Sequence, residues 1–282
     1  MRLLFFLSLF VLLLGCAQQE AAPPAQSPAG QQQPVPSAPA EQPVPQEESV
    51  SEPQQPSAEP SSAPAATTSL KSEEVSYNSH GWTIHGTIYP NDDPTKAIIL
   101  VPMLGHTRES YPMSFIERLH NEIPGSIILV IDPRGHGEST NLGTWEDFAM
   151  EDFRDMGVDV ANARPFFDNN YPTVKQHYVV GASIGSTAAI LATRQNNQID
   201  KVAMLSPGME YQDVSIERAV EDYLQPLFLA ASSGDSYSVS SISEIESLSS
   251  SHVTKKIYDG SSHGTDMFED TTVQSDLMEF LK

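Results

Sequence analysis

Residues 71–282 are predicted to form an α/β fold, built on a doubly wound, mostly parallel sheet of about eight strands with no cap domain. Three observations predict it. Short, continuous apolar runs recur along this stretch, each followed by a segment of helical pattern. A Gly-x-Ser-x-Gly motif, Gly181–Gly185, stands between one such run and the helical segment after it. The preceding stretch, by contrast, has almost no large apolar residues and cannot share a core.

The elements follow in order. Glu73 to Tyr89 is strand-like, punctuated by Gly81 and Gly86, and suits a leading hairpin. The apolar runs are AIILVPML (97–104), SIILVID (126–132), HYVVGAS (177–183), KVAMLSP (201–207), PLFLAAS (226–232) and HVTKKIYDG (252–260). Runs of this length and continuity suit parallel strands buried on both faces. Helical segments are expected from near Ser110, over Trp145–Phe167, Ile184–Arg194, Ser215–Tyr223 and Ser240–Leu248, and over Asp266–Leu281. Strand and helix alternating in this way give a doubly wound sheet. Between the fourth and fifth runs, Gly208–Gln225 has room for one short helix and none for a cap. Its Glu210, Asp213, Glu217, Glu221 and Asp222 are expected to form a solvated rim beside an open pocket.

The N-terminus reads MRLLFFLSLFVLLLGC over residues 1–16. The apolar run from Leu3 to Leu14 falls well short of the roughly 20 residues a spanning helix needs. Arg2 before it and a small residue after it suit a secretory signal. The ending Leu13-Leu14-Gly15-Cys16 resembles the lipobox of prokaryotic lipoproteins. That resemblance implies a lipid on Cys16, which becomes the first mature residue of an extracytoplasmic, membrane-anchored protein. Residues 17–70 are rich in Pro, Gln, Ala, Ser and Glu and read as a disordered tether.

The chain carries a formal net charge of −22. Six of its 37 acids and one of its 15 bases precede residue 71, so the domain itself remains near −17. Such a surface repels phosphate backbones and argues against nucleic-acid binding. Cys16 is the only cysteine, so no intrachain disulfide can form.

The chemistry starts from Gly181-Ala182-Ser183-Ile184-Gly185. A serine on a sharp strand-to-helix turn presents its hydroxyl at the carboxyl end of the strand, and glycines flank it because side chains there would collide with strand and helix. The turn puts the Ile184 N–H at a helix N-terminus, suited to stabilise a developing oxyanion. A serine hydroxyl needs a base, and a neutral imidazole is best oriented by a carboxylate. Two histidines follow Ser183. His252 opens an apolar run, at the wrong end of its strand, whereas His263 follows that run in GSSHG and is the favoured base. The acid should end the preceding strand: Asp235 follows PLFLAASSG and is favoured, with Asp213 and Asp222 as alternatives.

Four patches in order, VPMLGHTRES (101–110), DPRGHGES (132–139), GASIG (181–185) and the pair SGDSYS (233–238) with GSSHGTDMF (260–268), resemble the α/β-hydrolase family, within its lidless, dienelactone-hydrolase-like or esterase-like group. The resemblance implies cleavage of a small ester through an acyl-enzyme, with thioesters or small amides as related substrates. Ser183, His263 and Asp235 would be catalytic. Leu104 would supply the second oxyanion N–H, although Pro102-Met103-Leu104 stands where the family has His-Gly-x. Asp132, Arg134, His136 and Gly137 resemble the family's structural turn. His106 is expected to serve the loop it lies in, with a place bordering the active site as the alternative. A non-catalytic binding protein on the same fold and an acyltransferase are the competing readings. No His-Glu-x-x-His and no phosphate-binding glycine loop occurs, so neither metal nor cofactor is expected.

Overall fold

The structure is a computed structural model and describes residues 70–195 and 198–282. The expected signal segment, Cys16 and the expected tether up to residue 69 lie outside the described residues.

Strands β1 (Glu73–Ser79) and β2 (Trp82–Tyr89) form the expected antiparallel hairpin around His80–Gly81. Gly86 is not a turn but sits inside β2. A side chain there would come within 2.8 Å of the Val130 carbonyl oxygen, so this glycine marks a close approach of two backbones. β2 pairs antiparallel with β4 (Ser126–Asp132), and from there the sheet is parallel. With β3 (Lys96–Val101), β5 (Gln176–Ala182), β6 (Lys201–Leu205), β9 (Leu227–Ser232) and β10 (Val253–Tyr258), the eight-stranded order is β1-β2-β4-β3-β5-β6-β9-β10.

Both faces are covered, which is why β4 and β9 are buried along their whole length. Alternate residues serve opposite layers. Ile98 and Leu100 of β3 join the core beneath α1 (Met113–Glu122) and α6 (Thr271–Leu281). Ala97, Ile99 and Val101 join the core beneath α2 (Met150–Asn170), α3 (Ile184–Ala192), α4 (Glu217–Asp222) and α5 (Ser236–Leu248). The α2–α3 contact is close: a side chain at Gly157 would lie 2.7 Å from Leu191 Cβ.

Asp132, Arg134 and His136 belong to a polar scaffold at the end of β4. Arg134 donates to the buried Asp159 through Nε at 2.9 Å and Nη2 at 2.8 Å, and the Ser79 hydroxyl donates to the same carboxylate at 2.7 Å. Asp132 accepts from the Arg108 guanidinium at 2.6 Å. His136 Nδ1 donates to the Arg134 carbonyl at 2.9 Å.

Several helix boundaries differ from expectation, each for a local reason. α2 starts at Met150, not Trp145, because Trp145–Asp147 forms a separate 3₁₀ turn closed by the extended Phe148. α5 starts at Ser236, not Ser240, because Asp235 caps it by accepting the Ser238 N–H. The expected last helix is divided at Asp270, which ends a 3₁₀ segment (Gly264–Glu269) and caps α6 by accepting the Thr272 N–H at 2.7 Å. α4 is shorter than Ser215–Tyr223 because Val214–Ser215 is taken up as β8, paired with β7 (Glu210–Tyr211) in a two-stranded hairpin. The Gly208–Gln225 connection is therefore a small hairpin and one short helix, and among the described residues there is no cap domain. It buries Val214, Ile216, Ala219, Val220 and Tyr223 and leaves Glu210, Asp213, Glu217, Glu221 and Asp222 exposed. Among the described residues, no helix is long and apolar enough to cross a membrane.

Candidate active site

Ser183 lies where β5 ends and α3 begins, at φ 53° and ψ −117°. A residue with a side chain adopts this region only when its surroundings impose it. Here the Ser183 N–H donates to the Leu205 carbonyl at 2.8 Å. The Ser186 hydroxyl bridges the Gly181 and Leu205 carbonyls at 2.8 and 2.9 Å. The flanking glycines are required by space. A Cβ on Gly181 would lie 2.1 Å from the Gly185 oxygen, and one on Gly185 would lie 2.4 Å from the Val101 oxygen. The elbow is thus wedged between the ends of β3, β5 and β6.

The loops after β9 and β10 are laced together. The Ser233 N–H donates to the Tyr258 carbonyl at 2.7 Å, the Gly234 N–H to the Gly260 carbonyl at 2.8 Å, and the Ser232 hydroxyl to the Ser262 carbonyl at 2.7 Å. This lacing brings Asp235 and His263 face to face. His263 Nδ1 lies 2.6 Å from Asp235 Oδ2, and His263 Nε2 lies 2.8 Å from Ser183 Oγ. A carboxylate can only accept, so the network assigns the proton to Nδ1 and leaves Nε2 to receive the Ser183 hydroxyl proton. Burial pushes the Asp235 carboxyl up, but hydrogen bonds from Ser238 and His263 outweigh it and hold the group below its ordinary value. The N-terminus of α5, which Asp235 caps, acts in the same direction.

The alternatives lie elsewhere. His252 is exposed at the opposite end of β10. Asp213 is exposed in the β7–β8 turn at φ 61°, and Asp222 pairs with Arg194 at 3.7 Å.

Ser183 and His263 open onto a cavity of about 270 Å³. Ile184 lines it, at the first position of α3. Leu104 is half-buried in the turn after β3 and is not part of the lining; there the His106 N–H donates to the Met103 carbonyl at 3.1 Å, and His106 itself is exposed. Among the described residues, no Asp, Glu, Lys or Arg side chain lines the cavity. Of the segment expected as a rim, Gly208 and Tyr211 reach the lining, and its carboxylates do not. Among the described residues, no group of three or more His, Cys, Asp or Glu is placed to hold a metal ion.

Sequence reasoning missed Ser206 and Tyr237, which both line the cavity. Ser206 ends the β6 run at φ 49°, and its hydroxyl accepts the N–H of Gly264, next to His263, at 3.0 Å. A serine after an apolar run carries no signal of that role.

Residues 92–243, more than half of the chain, match the family model described as serine aminopeptidase, S33. The chain belongs to this family. The matched span of this S33 hydrolase includes Ser183 and Asp235 and stops short of His263. No curated protein matches the chain significantly in sequence. Solved structures similar to it include an esterase from Pyrococcus furiosus, 21% identical, covering 76% of this chain and 92% of that one at a TM-score of 0.63. A carboxyl esterase from Bacillus coagulans is 16% identical, covering 74% and 96% at 0.60. A dienelactone hydrolase from Anabaena variabilis is 18% identical, covering 75% and 97% at 0.60. At these identities the likeness establishes the α/β-hydrolase fold, and family and fold together make the chain a hydrolase of that type.

Proposed function

We propose that this S33 hydrolase cleaves small carboxylic esters through an acyl-enzyme on Ser183. The observation that carries the reading is the unbroken line of contacts from Ser183 Oγ through His263 to Asp235, at 2.8 and 2.6 Å. Ser183 attacks the ester carbonyl while His263 Nε2 takes its proton, then passes that proton to the departing alkoxide. Water, deprotonated by the same nitrogen, attacks the acyl-enzyme and releases the acid and Ser183. Asp235 holds the imidazole in the required tautomer. The Ile184 N–H stabilises the oxyanion, and Leu104 is the proposed second donor.

Esters are favoured over N-terminal peptides by the lining of the cavity. An aminopeptidase must hold a protonated α-amine, and among the described residues the lining offers it no carboxylate. The test is hydrolysis of p-nitrophenyl butyrate and of an aminoacyl-p-nitroanilide, with fluorophosphonate labelling of wild type and Ser183→Ala alongside. Ester turnover and labelling that both vanish in Ser183→Ala support the reading. Turnover of the anilide alone overturns it.

We also propose that a lipid on Cys16 holds the domain at an extracytoplasmic membrane surface, with residues 17–70 as its tether. Two acyl chains anchor stably, at about 0.8 kcal/mol per buried methylene. Cys16→Ser should move the protein from the membrane to the soluble fraction or stall its processing; unchanged fractionation refutes the anchor.

A further inference from the structure

We propose that Tyr237 sets the substrate range of this site, its ring being the wall that restricts the substrate arm beside Ser183 to a short one. The inference rests on the esterase reading and names the substrate class within it.

The cavity, at about 270 Å³, is smaller than the roughly 300–1,000 Å³ of sites that take drug-sized ligands. Tyr237 stands in the first turn of α5, two residues after Asp235, and lines the cavity while remaining 54% exposed. It is therefore an outer wall, with solvent beyond it. The wall is fixed in place. Tyr237 Oη donates to the Glu210 carbonyl at 2.5 Å and accepts the Glu210 N–H at 3.3 Å. One turn along α5, the Ser241 hydroxyl accepts the Met209 N–H at 3.2 Å. α5 thus grips two consecutive residues of the hairpin segment across the cavity mouth.

Gly208 makes room for the ring. A Cβ on Gly208 would lie 2.8 Å from Tyr237 Cε1, so a side chain there would push the ring out of place. Gly208 has no left-handed backbone conformation, so Gly208→Ala acts through its contact with the ring and not through left-handed backbone strain. Because Tyr237 faces solvent, truncating it opens the cavity outward and leaves no sealed void, which spares the fold the usual penalty of a core cavity.

The experiment measures kcat/KM for p-nitrophenyl esters from acetate to laurate and for alkyl acetates of matching length, in wild type, Tyr237→Ala, Tyr237→Phe and Gly208→Ala, with thermal melts as folding controls. Wild type should peak at a short arm and decline beyond it. Tyr237→Ala should move the peak several carbons longer in one of the two series, gaining about fourfold per methylene newly accommodated. Gly208→Ala should shift it the same way by less. Tyr237→Phe keeps the ring and should keep the wild-type peak, which separates the wall from the hydroxyl's grip on Glu210. A Tyr237→Ala profile parallel to wild type in both series overturns the proposal. Fluorophosphonates carrying the same alkyl series report the wall without turnover. A wild type that labels but hydrolyses no ester defeats the esterase reading alone, and one that does neither defeats both.

Discussion

The N–H of Gly264 donates to the hydroxyl of Ser206 at 3.0 Å, fastening the residue after His263 to the carboxyl end of β6. Ser206 is buried and held at φ 49°, an unfavourable conformation for any residue with a side chain. Removing the hydroxyl leaves the buried Gly264 N–H without its acceptor, at a cost of about 1–3 kcal/mol. Ser206→Ala should lower kcat about tenfold at nearly constant KM, since a small misplacement of the base is felt in the chemical step and not in binding. Ser206→Gly loses the same acceptor but relaxes the backbone, so it should lose kcat alike and melt higher than Ser206→Ala. Wild-type kcat in both variants rules out the positioning role.

Ser183→Ala should abolish ester turnover and leave the fold intact. The elbow is set by the Ser183 N–H to Leu205, by Ser186 and by the two glycines, none of which the substitution touches. Loss of the contact to His263 should change stability by no more than about 1.5 kcal/mol. In Asp235→Asn, an amide that can donate replaces a carboxylate that only accepts, and the wrong tautomer of His263 is favoured. Its kcat should fall by about 10⁴. Near-wild-type turnover in Asp235→Asn would show that another group orients the base.

The strands were legible in the sequence because the middle of a parallel strand buried on both faces must be apolar, as Ile127–Ile131 and Leu227–Ala231 are. Ser183 and Asp235 were legible because each follows such a run at the carboxyl end of its strand, and His263 because it follows the edge strand β10, whose residues alternate between half-buried and exposed. Position in the chain thus stood in for position in space. Helix starts were less visible where one side chain decides them. Asp235 is at once the helix cap and the partner of His263, and only the first role moves the boundary of α5. Ser206 and Tyr237 were invisible for a different reason. Their roles consist of contacts with Gly264 and Glu210, 58 and 27 residues away, and no local pattern encodes those.

Asp159 tests the scaffold apart from the chemistry. It is fully buried, and it receives both arms of the Arg134 guanidinium and the Ser79 hydroxyl. Asp159→Ala leaves the buried guanidinium with only the longer, 3.6 Å contact to Asp155 and should destabilise the domain by about 3 kcal/mol. Urea midpoints would read the loss. Activity per folded molecule should persist at low temperature, because neither residue lines the cavity.

The last prediction concerns acid stability. Asp235 carries a carboxyl whose value in the fold lies below the ordinary one, despite burial, because Ser238 and His263 hold its anion. An unfolded Asp titrates near about 3.9. A group depressed on folding stabilises the fold above the unfolded value, and the contribution is lost as pH falls through the folded value. The contribution of Asp235 is therefore present at about pH 5, begins to be lost as pH falls below about 3.9, and is gone only below the folded value. Asp235→Asn has no such proton to bind, so its stability lacks this dependence. The gap in melting temperature between wild type and Asp235→Asn should shrink as pH is lowered from about 5 to about 2.5. A gap that stays constant or widens across that interval would mean the carboxylate is not held as an anion in the fold, and the tautomer assigned to His263 would lose its basis.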